Sequence, residues 1–180
     1  MTRPVLNAIA FYAAWAVTAY GAANGTPWLF LVAFLPWLPL HLWACGADGW
    51  SEAKLLATAG AVGYGADSAL VLGGWLDFPP QAELGAPTTL WMVALWAGFA
   101  ATLRHSMRWV IGHPAIAAAL GAGGGPFSYW AGERLGALTL GEGWVVAVAV
   151  VWALALPGLA WLASRVGASD AAPVADRSSS

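Results

Sequence analysis

Six apolar runs, separated only by short polar or Gly/Pro-rich breaks, occupy most of the chain and narrow its fold to one class. They cover residues 5–23, 28–45, 53–76, 88–110, 114–131 and 144–163. Each approaches the roughly 20 residues that a helix needs to cross the hydrocarbon core of a bilayer. Inside lipid the backbone must pair with itself, which leaves helices and closed barrels. Barrel strands alternate polar and apolar positions, and the run 145–157 does not. Charged residues make up 9 % of the chain, against about 25 % in a soluble domain. The expected fold is therefore all-α: a polytopic bundle of six transmembrane helices over residues 1–166, with a disordered cytoplasmic tail over 167–180.

Basic residues give an orientation. With six spans and an inside N-terminus, Arg3, Lys54, Arg104, Arg108, Arg165 and Arg177 share one side, and Arg134 lies on the other. That asymmetry predicts N-in/C-in topology, with the basic side cytoplasmic. Tryptophans fall where the two interfaces belong: Trp28, Trp75, Trp91 and Trp144 outside, Trp43, Trp50, Trp109 and Trp161 inside. The first run has the outline of a secretory signal, with small residues at 21–23. It is long for that role and holds Tyr12, Trp15 and Tyr20, so it is read as a helix. A net charge of −2 carries no footprint for nucleic acid. The single cysteine, Cys45, excludes an internal disulfide and a multi-cysteine metal site, and is read as a packing residue.

Polar groups at membrane depth each need a partner or a task. Asp67, within Gly63-Tyr-Gly-Ala-Asp-Ser-Ala, lies ~18 Å from Leu55 along a helix, just past the bilayer centre. It is either a proton-bearing or ligand-binding acid, or a neutral acid bonded to a neighbouring helix. Ser128 and Tyr129 lie ~21–22 Å from Pro114 and share the outer half with it. Gly121-Ala-Gly-Gly-Gly-Pro-Phe-Ser-Tyr129 makes a continuous helix unfavourable. Two readings stand: a broken, cavity-lining helix, or a close-packing face on Gly121 and Gly125. The packing face is preferred, with Gly125, one residue before Pro126, as its critical position. His41 and His105 lie ~20 and ~22 Å from the outer boundary on their runs and share an inner level with Ser106. Neither has a carboxylate or second histidine at i+3 or i+4, so hydrogen bonding across helices is expected, with no metal and no cofactor. His113 is read as a solvent-exposed turn residue.

Two further strings carry a resemblance: Thr102-Leu-Arg-His-Ser-Met-Arg-Trp109, and Gly121 to Tyr129 continued by Trp-Ala-Gly-Glu-Arg-Leu-Gly-Ala137. With Asp67 ahead of them, the chain resembles the bacterial inner-membrane family known as domain of unknown function 2878. The resemblance covers about residues 5–165. The family usually has Asn before the His-Ser pair, where this chain has Arg104, so position 104 receives no catalytic role. Members tend to be encoded near enzymes that modify membrane fatty acids, which implies lipid chemistry.

No phosphate loop, nucleophile elbow or histidine box occurs. Three classes of function remain. The first is an enzyme or accessory factor in membrane lipid modification, with Asp67, His105 and Tyr129 handling protons. The second is a small proton-coupled carrier using Asp67. The third is a structural or assembly protein. In the first reading His41, Ser106, Ser128, Gly125 and Pro126 line the binding region, and the partners are membrane lipids, lipid-modifying enzymes or a second copy. The resemblance points to the first.

Overall fold

The computed structural model describes residues 2–166, so the tail expected over 167–180, Arg177 included, lies outside the described residues. Six helices carry the fold: α1 (Thr2–Ala23), α2 (Leu29–Ala44), α3 (Gly49–Leu72), α4 (Leu90–Leu103), α5 (Pro114–Leu135) and α6 (Trp144–Val166). Two short strands, β1 (Leu76–Asp77) and β2 (Thr139–Leu140), pair antiparallel with Leu76 opposite Leu140. They tie the end of α3 to the α5–α6 connection.

Three stretches are long and apolar enough to cross a membrane: Arg3–Ala23, Gly46–Leu72 and Trp144–Val166. The other three expected spans fall short for separate reasons. The helices α2 and α4 are apolar but have 16 and 14 residues. At ~1.5 Å per residue neither covers a ~30 Å hydrocarbon core without its flanking turns. The expected fourth run continued to residue 110, but α4 stops at Leu103. The chain then winds through tight turns, including one at Arg108–Val110. In α5 the length suffices at 22 residues, but its glycines and its Ser-Tyr and Glu-Arg pairs dilute the hydropathy.

The large apolar side chains of Leu154, Val146 and Tyr12 lie outside the bundle at 72 %, 68 % and 68 % exposure. Trp43, Trp50 and Trp109 are exposed at one end and Trp28 and Trp75 at the other, but Trp91 is buried. Its ring meets Phe78 edge-on, and its indole N–H donates to the Ala82 carbonyl at 2.9 Å. It is a core residue and not an interfacial one.

The glycine-rich segment does not break. Helix α5 runs through Pro126 to Gly136, whose φ of +86° ends it. There the amides of Gly136 and Ala137 bond back to Glu133 and Gly132, closing the helix end. The packing reading accounts for the glycines. Gly121 and Gly125 are buried on one face of α5, and α6 lies against them at Trp152. A Cβ on Gly125 would stand 2.5 Å from the Trp152 ring, and one on Gly121 would run into the Trp152 backbone carbonyl. Gly121 is thus at least as restrictive as Gly125, the position expected to be critical.

Candidate functional site

Tight glycine contacts build the first polar cluster. Gly63 and Asp67 are one turn apart on α3, and the Trp96 indole from α4 lies directly on Gly63. From there its Nε1–H donates to Asp67 Oδ2 at 2.9 Å. Tyr129, one turn beyond Gly125 on α5, donates its hydroxyl to Asp67 Oδ1. Trp152 of α6 stacks on Trp96 at 4.2 Å and 14°. Asp67 has no exposed surface and Tyr129 is 4 % exposed. One carboxylate therefore joins α3, α4 and α5, with α6 stacked behind it. Buried polar groups require such partners, and the two donors match the two oxygens. Ser128, expected beside Asp67, is half-buried on the next position of α5.

The second cluster gathers where α2 ends, α3 begins and α4 ends. A 3-10 turn at Gly46–Asp48 links α2 to α3, with Gly46 at φ +60° letting the chain reverse. His41, in the last turn of α2, and Glu52, in the first turn of α3, thereby face each other. His41 Nε2 lies 3.0 Å from Glu52 Oε1. Glu52 has no exposed surface. Its other oxygen accepts from Arg104 Nη1 at 3.0 Å, and Arg104 Nη2 reaches Asp48 at 3.1 Å. His105 brings its Nε2 to 3.9 Å from Glu52 Oε1 and 3.8 Å from Cys45 Sγ. Cys45 Sγ also lies 3.9 Å from His41 Nε2. The two imidazoles meet edge-to-face at 4.7 Å. Ser106 turns away and donates to Asn7 Oδ1 at 2.8 Å, while Asn7 Nδ2 donates to the Ala101 carbonyl, fastening α1 to the end of α4.

A family model for "Protein of unknown function (DUF2878)" matches residues 4–158. The chain belongs to the DUF2878 family. No curated protein and no solved structure matches it. Within this DUF2878 member, the residues singled out in the sequence divide between the two clusters. Asp67 and Tyr129 meet in one, His41 and His105 in the other. Pro126 stands inside α5 and touches neither through a hydrogen bond. His113 is exposed at the start of α5.

Sequence reasoning passes over Trp96, Glu52 and Asp48, reads Cys45 as a packing residue and gives Arg104 no role. Cys45 carried a visible signal, because it is the i+4 neighbour of His41 on the same helix face. Glu52 carried one too, as an acid placed by the turn after Gly46. The expectation of no metal rested on ligands missing at i+3 and i+4 of each histidine. The fold sets Glu52, from a neighbouring helix, beside both histidines, so that spacing argument does not exclude a metal.

Proposed function

We propose that this DUF2878 member is a six-span inner-membrane protein with both ends in the cytoplasm, acting in membrane lipid modification as an enzyme or accessory factor. The observation that carries this reading is an apolar crevice between α3 and α6, two helices long and apolar enough to cross a membrane that lie side by side. It consists of two open grooves of about 470 and 610 Å³ that share Val151. The first reaches Trp75 and Gly143 at one end, and the second reaches Trp161 and Leu162 at the other. The remaining wall residues are Ala, Val, Leu and Gly158, with one hydroxyl, Thr58. A groove of that shape and polarity accepts an acyl chain. The six-to-one distribution of basic residues supports the orientation. On that orientation the His41–Glu52–His105 cluster faces the cytoplasm, with His105 35 % exposed.

Gly158 supplies the test, because a Cβ there meets nothing within 4 Å and its position lies in the crevice. Lipids extracted from cells with the parent protein, without it, and with Gly158→Leu are compared by mass spectrometry. The parent changes the acyl-chain profile, and Gly158→Leu, folded and inserted, reverts it. Identical profiles in all three strains overturn the lipid reading.

A second reading applies to Asp67. Its closed contacts with Trp96 and Tyr129 favour a helix-pinning acid over the coupling acid of a carrier.

A further inference from the structure

We propose that His41, Cys45, Glu52 and His105 form a tetrahedral zinc site that clasps the ends of α2, α3 and α4. This goes beyond the lipid reading and stands without it. Each of the four residues offers one ligand atom, and the four atoms lie within 4.8 Å of one another. Zinc bonds nitrogen, oxygen and sulfur at ~2.0–2.3 Å, so the edges of its tetrahedron measure ~3.3–3.8 Å. Four of the six edges are 3.0 Å for His41–Glu52, 3.8 Å for Cys45–His105, and 3.9 Å for Cys45–His41 and His105–Glu52, and the remaining two lie within 4.8 Å. Shifts of about half an ångström bring the four to bonding geometry, and the other two edges close by at most about 1.4 Å. Two imidazoles, a thiolate and a carboxylate in a tetrahedron select zinc over calcium or magnesium, which take oxygen ligands in larger number.

Charge makes the same case. Glu52, fully buried, and Asp48, half exposed, against Arg104 leave the cluster with one net negative charge. Adding Zn²⁺ and ionising the Cys45 thiol releases one proton and brings the formal sum to zero. A buried cluster is held at lower cost when its charges cancel. The surroundings also suit a metal. Glu52 presents Oε1 to the histidines while Oε2 is fixed by Arg104, the outer-sphere support that orients a ligating carboxylate. Cys45 and His105 remain partly exposed and give the ion a way in. With all four positions filled by protein, the site is structural.

The test uses the full chain, purified in detergent through a tag without histidine, stripped with chelator and titrated with Zn²⁺ alone or Co²⁺ alone. One equivalent of zinc binds per chain. Co²⁺ gives the visible bands of tetrahedral coordination with a thiolate-to-cobalt charge-transfer band. Cys45→Ser, close to isosteric, abolishes that band and weakens zinc by more than the ~100-fold ceiling of an outer-sphere loss, while Arg104→Gln weakens it ~10-fold. The metal-free melting temperature of Cys45→Ser matches the parent, separating ligand loss from misfolding. If that variant fails to fold, the parent's cobalt spectrum decides alone. Substoichiometric zinc in the parent, a cobalt spectrum lacking the thiolate band, or unchanged zinc affinity in folded Cys45→Ser overturns the proposal.

Discussion

Placing a side chain on α5 at Gly121 or Gly125 tests how the bundle is held together. At Gly125 a Cβ would stand 2.5 Å from Trp152 ring atoms, where ordinary contact begins at 3.4 Å. The two helices must therefore separate by most of an ångström, or the ring must turn. The ring is not free to turn, because it stacks on Trp96, which is anchored to Asp67. Overpacking of that kind costs ~1–3 kcal/mol, and the longer side chain of Gly125→Leu belongs at or above the upper end. At Gly121 the obstacle is the Trp152 carbonyl, a backbone atom that cannot rotate aside, so Gly121→Ala already costs ~2 kcal/mol or more. Gly123 is exposed and its Cβ position meets nothing within 4 Å. Gly123→Ala therefore stays within ~0.5 kcal/mol of the parent. Unfolding in detergent, followed by tryptophan fluorescence across a denaturant series, ranks the three variants. If Gly121→Ala and Gly125→Leu are as stable as Gly123→Ala, the α5–α6 interface is not the close contact described, and the glycines need another explanation.

At Asp67 two substitutions separate pinning from proton coupling. Asp67→Asn keeps one acceptor and should cost ~1–2 kcal/mol, whereas Asp67→Leu strands both the Trp96 and Tyr129 donors and costs ~2–5 kcal/mol. Lipid activity that survives Asp67→Asn and fails with Asp67→Leu fits pinning, and loss with both in folded protein fits a titrating role. Trp96→Phe keeps the stack on Trp152 but removes one donor to Asp67, and should lower stability by ~1–3 kcal/mol in the same unfolding assay. Reporter fusions at Ser180 and Glu83 should read cytoplasm and periplasm, and a shared compartment refutes the orientation. Zinc at 100-fold above its Kd should raise stability by ~2.7 kcal/mol, reversed by chelator, if the metal binds only the folded chain.

The apolar runs made the helices legible, because a segment that must bury its backbone groups in lipid has few conformations open to it. Their ends were less so. Leu103 closes α4 short of the expected limit, and the cause is tertiary: the turn at Arg104 and His105 is held by Glu52 and Asp48, residues some fifty positions earlier. Depth counting along single helices brought Asp67 level with Tyr129, and His41 level with His105. It could not say which faces met, since depth fixes height on a helix and not rotation about it. Trp96 shows the limit most clearly. Its link to Asp67 depends on Gly63 being bare, a relation between two helices that no single run displays.

The two clusters divide the work of holding the bundle, and the division follows from their position. Lipid gives helices no hydrophobic reason to associate, so close packing and polar contacts must supply it. Deep in the bundle, Asp67 with Trp96 and Tyr129 does so with neutral donors on one acid, sealed from water. At the end of α2, α3 and α4, where the chain turns and water is near, charge becomes usable, and Glu52 collects two histidines and an arginine. Glu52 has one oxygen on Arg104 and the other 3.0 Å from His41 and 3.9 Å from His105. Helix pinning explains the arginine, but it does not explain why four ligand atoms converge. The proposed zinc accounts for that convergence, and removing Cys45 alone tells the two apart, since pinning through Glu52 does not require the sulfur.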